Sequence, residues 1–275
     1  MMKTIDKKYL NISKIYGFDI FSGGKSRVLK KICGHIERGK GLWQVATVNP
    51  EFVMKAKKDK KFAKILKSTG INTVDGIGLV WAEEVKNRCG DGKSFVLKLI
   101  KAIEVGIGVL GGKYRGRIAS GSEMIVDLAK RAKTNKWKVF FLGGFGDTAI
   151  MAGKRINKMV GGGLKYETSQ GRPVLSDTQV LLLIQKFKPE ILFVAYGMKK
   201  QEEWIYENRK KLEKAGVRVA MGVGRSFDYY SGETKMAPDW VKRMGMEWLY
   251  SLIKDPKRIK RQMVLPKFVW DILIS

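Results

Sequence analysis

One histidine, two cysteines and 26 acidic residues against 54 lysines and arginines mark this 275-residue chain by what it has little of. The lone imidazole, His35, cannot build a multi-histidine metal site. A Ser-His-Asp triad would have to use His35, and nothing around it suggests one. Cys33 and Cys89 show neither metal nor redox spacing, which suits a reducing cytoplasm. No Asp-x-Asp occurs, so one common metal–nucleotide motif is missing. No run approaches the ~18–20 apolar residues that span a bilayer. The N-terminal stretch has no apolar core of the signal-peptide kind, so no secretory leader is expected. The shortage of acids leaves a net charge of +28. Such a surface implies a polyanionic partner: nucleic acid, anionic lipid or a phosphorylated substrate.

With 44% hydrophobic residues the chain can bury a sizeable core. Strand and helix signals alternate along it. Leu42–Val48, Asn72–Val74, Trp137–Leu142, Ile191–Ala195 and Val217–Met221 read as strands. Glu51–Ser68, Thr148–Met159, Leu175–Lys188 and Lys200–Ala215 read as helices, with Pro50 at a helix start. That alternation predicts an α/β fold: a Rossmann-like parallel sheet flanked by helices, followed by a basic helical C-terminal appendage. The expected division is a catalytic domain over 1–234 and a basic aromatic appendage over 235–275. Residues 88–116, glycine-rich at both ends around an apolar helix at Ser94–Ile107, read as a core helix or as an inserted lid or second membrane-facing element.

In parallel sheets ligands bind beyond the carboxyl ends of strands. Three glycine-bearing ends qualify: Gly143–Gly146, Gly197 and Gly222–Gly224. Gly143-Gly144-Phe145-Gly146 could hold a phosphate at a helix N-terminus, or be a plain tight turn. It lacks the G-x-G-x-x-G fingerprint of a dinucleotide enzyme, and no acidic ribose partner is evident about twenty residues on. Thr47 and Asn49 sit where a strand passes into a helix, where they can bind a sugar or cap the helix. Asp75 precedes Gly76, the usual setting of a turn residue. It becomes a general-base candidate if it faces Asn49, since with one imidazole in the chain a carboxylate is the natural base.

From Lys235 to Lys267 lysines and arginines are interleaved with Trp240, Trp248, Tyr250, Leu252, Ile253 and Met263. Basic residues mixed with aromatics suit a segment lying on an anionic membrane surface; a solvated basic cap is the plainer alternative.

The order TVNPE, VDGIG, GRIAS, FFLGG, YGMKKQEEWI, GVGRSFDYYSG and MAPDWVKRMGMEWLYSLIKDPKRIKR closely resembles the WecG/TagA/CpsF glycosyltransferases, from about Gly17 to Lys267. The resemblance implies a peripheral hexosyltransferase on the cytoplasmic face of the membrane, active in teichoic acid or other cell-surface polysaccharide synthesis. It implies inverting transfer of an N-acetylmannosamine-like hexose from a UDP-sugar to a polyprenyl-diphosphate-linked acceptor, without metal or other cofactor. By the same resemblance Asp75 is the base, Thr47 and Asn49 share its pocket, Arg117 and Gln201 match family positions, and Arg258 and Arg261 steady the diphosphates. The UDP end is then expected at Gly143, Gly144, Tyr196, Gly197, Gly222, Gly224 and Asp228. The implied partners are the donor, the lipid-linked acceptor and an anionic membrane surface, with no nucleic acid and with room for a homo-oligomer. The chain departs from the family at Met236 and Ser251, where arginine is usual, at Glu123, and at Arg225.

A nucleic-acid binder would satisfy the charge and lose affinity steeply with salt. It would leave Asp75, Gln201 and Asp228 at strand ends without a purpose.

Overall fold

The computed structural model describes residues 12–90, 94–171, 177–256 and 259–275. In chain order the strands are β1 (Ile12–Ile15), β2 (Phe18–Phe21), β3 (Trp43–Val48), β4 (Ile71–Val74), β5 (Val139–Gly143), β6 (Tyr166–Ser169), β7 (Ile191–Ala195) and β8 (Val219–Gly222). They form one sheet in the order β1-β2-β4-β3-β8-β7-β5-β6. Every pairing is parallel except the β1–β2 hairpin. The helices are α1 (Lys25–Arg38), α2 (Pro50–Lys58), α3 (Lys60–Lys67), α4 (Ile77–Cys89), α5 (Phe95–Leu110), α6 (Gly121–Asn135), α7 (Thr148–Met159), α8 (Thr178–Phe187), α9 (Lys200–Lys214), α10 (Ser226–Ser231), α11 (Asp239–Arg243), α12 (Glu247–Lys254), α13 (Ile259–Gln262) and α14 (Val264–Ile274).

The central strands are near-continuous apolar runs because both faces of the sheet are covered. Alternate residues feed different cores. On β5, Val139 and Phe141 join a cluster with α1, α6, α7 and α10. Phe140 and Leu142 point the other way, into a cluster with α8 and α9. A third cluster, beside the second, unites Ala46 and Val48 with α2, α4 and α5. Phe268, Ile272 and Leu273 of α14 belong to that same cluster, so the final helix is packed into the core.

The expected parallel sheet and flanking helices are present, with differences in detail. The helix expected over Glu51–Ser68 is two. Asp59 leaves helical geometry at φ −123°, ends α2 and accepts a hydrogen bond from the Phe62 N–H to start α3. Within 88–116, residues 91–93 lie outside the described residues; the others form the end of α4, then α5, and then a single 3-10 turn at Arg115–Arg117. The β1–β2 hairpin and β6 are strands with no counterpart in the sequence reading. Residues 175 and 176, the start of the helix expected over Leu175–Lys188, lie outside the described residues. His35 stacks on Trp43 at 4.2 Å and burial lowers its pKa, so the one imidazole is a packing element.

β3 and β8 lie side by side and parallel in the middle of the sheet. From β3 the chain crosses to β4, whereas from β8 it leaves the sheet into α10. The adjacent carboxyl ends of β3 and β8 border a crevice on the side of the sheet where ligands usually bind. One close approach holds this crevice in shape. The Gln201 amide donates to Glu202 Oε1 at 2.7 Å, and its carbonyl oxygen accepts from the Gly224 N–H at 2.9 Å. The other Glu202 oxygen accepts from the Lys199 N–H at 2.8 Å. A Cβ on Gly222 would lie 2.5 Å from Glu202 Oε1 and 2.6 Å from Gln201 Nε2. Gly222→Ala is thus expected to lower stability by about 1–3 kcal/mol, read from urea unfolding. A midpoint equal to that of the parent would show that α9 can retreat at no cost.

Candidate active site

A cleft of about 1290 Å³ lies over the β3–β8 crevice. That exceeds the ~300–1,000 Å³ of ordinary small-molecule pockets, and so has room for two substrates. One wall comes from strand ends: Thr47 in β3 and Asn49 just after it, Asp75 after β4, Gly197 after β7 and Gly224 after β8. The tail forms much of the opposite wall, with Glu247, Ser251, Lys254 and Arg261 among its lining residues.

Asn49 caps α2, its Oδ1 accepting from the Phe52 N–H at 3.2 Å. Thr47 donates to the Gly222 carbonyl at 3.4 Å, tying β3 to β8. Asp75 follows β4 and meets the start of α6. Burial pushes its carboxyl up to about 6 from the usual 3.8. A hydrogen bond from the Ser120 hydroxyl opposes that rise, the negative charges of Glu247 and Glu123 add to it, and the Gly121 N–H opposes it again. Arg115 stands among these acids, with Nη2 at 2.6 Å from Glu123 and Nη1 at 2.8 Å from Glu247. Glu247 opens α12, so the tail contributes a charge that acts directly on Asp75.

The other two arginines of the cleft lining are also paired. Arg261 makes a two-point contact with Glu51, Nε to Oε1 at 2.8 Å and Nη2 to Oε2 at 3.0 Å. Arg225 bridges Asp228 at 2.7 Å and Asp255 at 3.2 Å. Ser251 and Met236, where the resemblance leads one to expect arginine, both line the cleft. Among the described residues, no three His, Cys, Asp or Glu converge as a metal site.

Thr47, Asn49, Asp75, Gly197, Gln201, Gly224 and Arg261 thus meet in one place. Others do not. Arg117 lies in a separate surface depression with Arg27 and Lys86, and is held by Glu83 at 2.6 Å and Glu84 at 2.5 Å. Arg115, two residues earlier, faces the cleft instead. Gly143, Gly144, Tyr196, Gly222 and Asp228 are outside the cleft lining. A Cβ on Gly143 would lie 2.9 Å from the Ala195 backbone and one on Gly144 2.9 Å from Thr148, so close packing requires glycine at both positions. Tyr196 packs edge-on against Trp204, and burial raises its phenol pKa. Asp228 is taken up by Arg225. Arg258 lies outside the described residues. Burial also pushes the Glu202 carboxyl up to about 7, but its partners are Lys199 and Gln201 and its work is structural. Sequence reasoning missed Arg115, Glu247 and Glu51 as cleft groups; only their charge in a glycine-flanked or basic stretch could have drawn attention to them.

The sign of the Asp75 shift sets a test. Its folded-state pKa near 6 stands above the usual 3.8, so the fold disfavours the ionised form. That penalty is absent below the unfolded value and complete above the folded one. Asp75→Asn should therefore raise Tm at pH 8 by on the order of several degrees and leave it almost unchanged at pH 4. Equal shifts at both pH values would show that Asp75 ionises freely.

Residues 13–101 and 100–275 match the model of the glycosyl transferase WecG/TagA/CpsF family. The chain is 30% identical over 229 residues, 83% of its length and 78% of the relative's, to N-acetylglucosaminyldiphosphoundecaprenol N-acetyl-beta-D-mannosaminyltransferase of Bacillus subtilis. It is 30% identical over 239 residues, 87% of the chain and 81% of the relative, to the enzyme of the same name from Bacillus spizizenii. Against the one from Staphylococcus aureus the identity is 28% over 228 residues, 83% of the chain and 78% of the relative.

Proposed function

The chain belongs to the WecG/TagA/CpsF glycosyl transferase family, and from that premise we propose that it moves an N-acetylmannosamine-like hexose from a UDP-sugar to a polyprenyl-diphosphate-linked N-acetylglucosamine. The acceptor class follows the names of the relatives. The observation that carries the mechanism is Asp75: a carboxylate at the carboxyl end of β4 in the cleft lining, made more basic by burial and by two neighbouring acids. Near neutral pH it is ionised, yet basic enough to take a proton.

Asp75 removes the proton of the acceptor hydroxyl. The oxygen attacks the anomeric carbon from the side opposite the leaving group, the C–O bond to UDP breaks, and the centre inverts. Charge then grows on the departing diphosphate. Guanidinium groups offer paired donors for such charge. Arg261 already holds a carboxylate in this manner, and on binding would exchange Glu51 for diphosphate oxygens. We assign Arg258 the same task, with no divalent metal taking part. Thr47 and Asn49 border the sugar, and the backbone at Gly197 and Gly224 borders the nucleotide, where Gln201 braces the turn.

The decisive experiment is a panel of UDP-sugars offered with a lipid-diphosphate-N-acetylglucosamine acceptor, read by mass spectrometry in EDTA. Transfer of an N-acetylhexosamine is expected without added metal. Asp75→Asn should lower turnover by roughly 10²–10⁴ while UDP binding in calorimetry changes little. Full activity of Asp75→Asn would remove it as the base, and a metal requirement would remove the arginine account.

We further propose that the enzyme works as a peripheral protein on the cytoplasmic face of the membrane, in cell-wall polymer synthesis. Among the described residues no helix is long and apolar enough to cross a bilayer. The tail nevertheless exposes Trp240, Ile253 and Met263, at 64%, 69% and 68%, within its basic sequence. Aromatic and basic groups together favour an anionic interface. Trp240 and Ile253 do not line the cleft, so the pair Trp240→Ser and Ile253→Ser isolates docking. It should weaken sedimentation with anionic liposomes by roughly tenfold. Undiminished sedimentation would make the tail a wall of the cleft only.

A further inference from the structure

The cleft continues beyond Asp75 and changes character. It runs past Trp81 on α4 to Gly106 and Val109 on α5, with Leu265, Phe268 and Val269 of α14 opposite. Around Asp75 the lining is carboxylate and guanidinium; at this far end it is apolar. Trp81 adds no polar atom there, because its indole N–H donates to the Ala102 carbonyl at 3.0 Å. Gly106 stands in mid-helix, where glycine costs stability. A Cβ placed on it would meet nothing within 4 Å, so the missing side chain leaves open space.

This apolar end lies beside an exposed apolar surface. Val96, Ile100, Ile103 and Ile107 of α5 are 54–67% exposed, spaced along one helix face. Trp270 and Ile274 of α14 are 56% and 57% exposed. Phe95 packs against Trp270 at 5.9 Å and joins the two helices into one patch. A soluble surface rarely leaves such a patch uncovered. An acceptor that is a diphosphate-linked sugar at one end and an isoprenoid at the other matches the sequence of linings: carboxylate base, guanidinium groups, apolar passage, apolar surface.

We propose that the passage between α5 and α14 is the subsite for the isoprenoid chain of the acceptor, which leaves the cleft there onto the apolar face of α5. This rests on the transferase reading above. The chain's first units displace water from Gly106, Val109 and Phe268. The rest emerges where α5 and α14 present hydrocarbon rather than charge. Gly106 is then a specificity position: it keeps the passage wide enough for a branched prenyl chain.

The test fills the passage. Gly106→Leu adds a side chain into open space on a helix that tolerates it better than glycine, and thermal melting confirms the fold. Two acceptors carry the same N-acetylglucosamine diphosphate, one on undecaprenol and one as a methyl ester. The ratio of kcat/KM for the first over the second should fall by roughly tenfold or more in the variant. In parallel, a photoreactive farnesyl diphosphate is cross-linked to the unaltered protein and mapped by mass spectrometry. Label is expected within 103–110 and 263–270, and less of it in Gly106→Leu. An unchanged ratio, label elsewhere, or label abolished by ordinary diacyl phospholipid overturns the proposal. Protein that labels between α5 and α14 but transfers sugar to neither acceptor supports the passage and sinks the transferase reading. Protein that transfers equally to both acceptors, with or without Gly106→Leu, sinks the passage and leaves the transferase reading standing.

Discussion

Where a methyl on Gly222 would sit, the chain places the Gln201 amide and the Glu202 carboxyl instead. This approach brings the start of α9 onto the end of β8 and fixes the Gly224 turn through one hydrogen bond. Gln44 of β3 reaches the Glu202 carbonyl at 3.1 Å, so the same corner also registers β3 against α9. The β3–β8 crevice depends on that corner. With Gln201 and Glu202 in place, the ends of β3, β4, β7 and β8 converge on a space that Asp75 can face. Burial of Glu202 is costly to its charge, and its raised pKa reflects this. The pair gives a polar junction that holds only one arrangement.

Much of the fold was legible because the physics was local. Apolar runs that stop at glycine marked β5, β7 and β8, and one that stops at Asn49-Pro50 marked β3; with them came the parallel sheet. The edge strand β6, Tyr166–Ser169, is short and only partly buried, so no hydrophobic run marks it. The α2–α3 break was hidden since Asp59 both ends one helix and starts the next without interrupting the helical period. At the site, Thr47, Asn49, Asp75 and Gln201 could be gathered because strand ends of a parallel sheet meet by rule. Arg115 and Arg117 could not be told apart. They flank one glycine in a single 3-10 turn, and only the folded turn decides that one faces Glu123 and the other Glu83. The Gly143–Gly144 turn could not be assigned from sequence for a related reason: a glycine needed for close packing and a glycine needed for phosphate read alike.

The charge of +28 suggested an open cationic site. The cleft is more balanced than that. Arg115, Arg225 and Arg261 each carry carboxylate partners. An anionic substrate entering here exchanges with acids already in place, which lowers the cost of holding guanidinium groups together before it arrives. The excess positive charge lies elsewhere on the surface, where it can act at a distance on an anionic partner.

The tail is fastened in two different ways. Its last helix, α14, is held by buried hydrocarbon at Phe268, Ile272 and Leu273. The part before it is held by Met236 and the buried Val241 and also by the partly exposed ion pairs Arg115–Glu247, Arg225–Asp255 and Arg261–Glu51. Ionic strength acts on these unequally. Over roughly 8–10 Å mobile ions screen charge, while hydrocarbon contacts are indifferent to simple salt at such concentrations. Raising the salt therefore weakens the ion pairs between the tail and the cleft before it weakens the seat of α14.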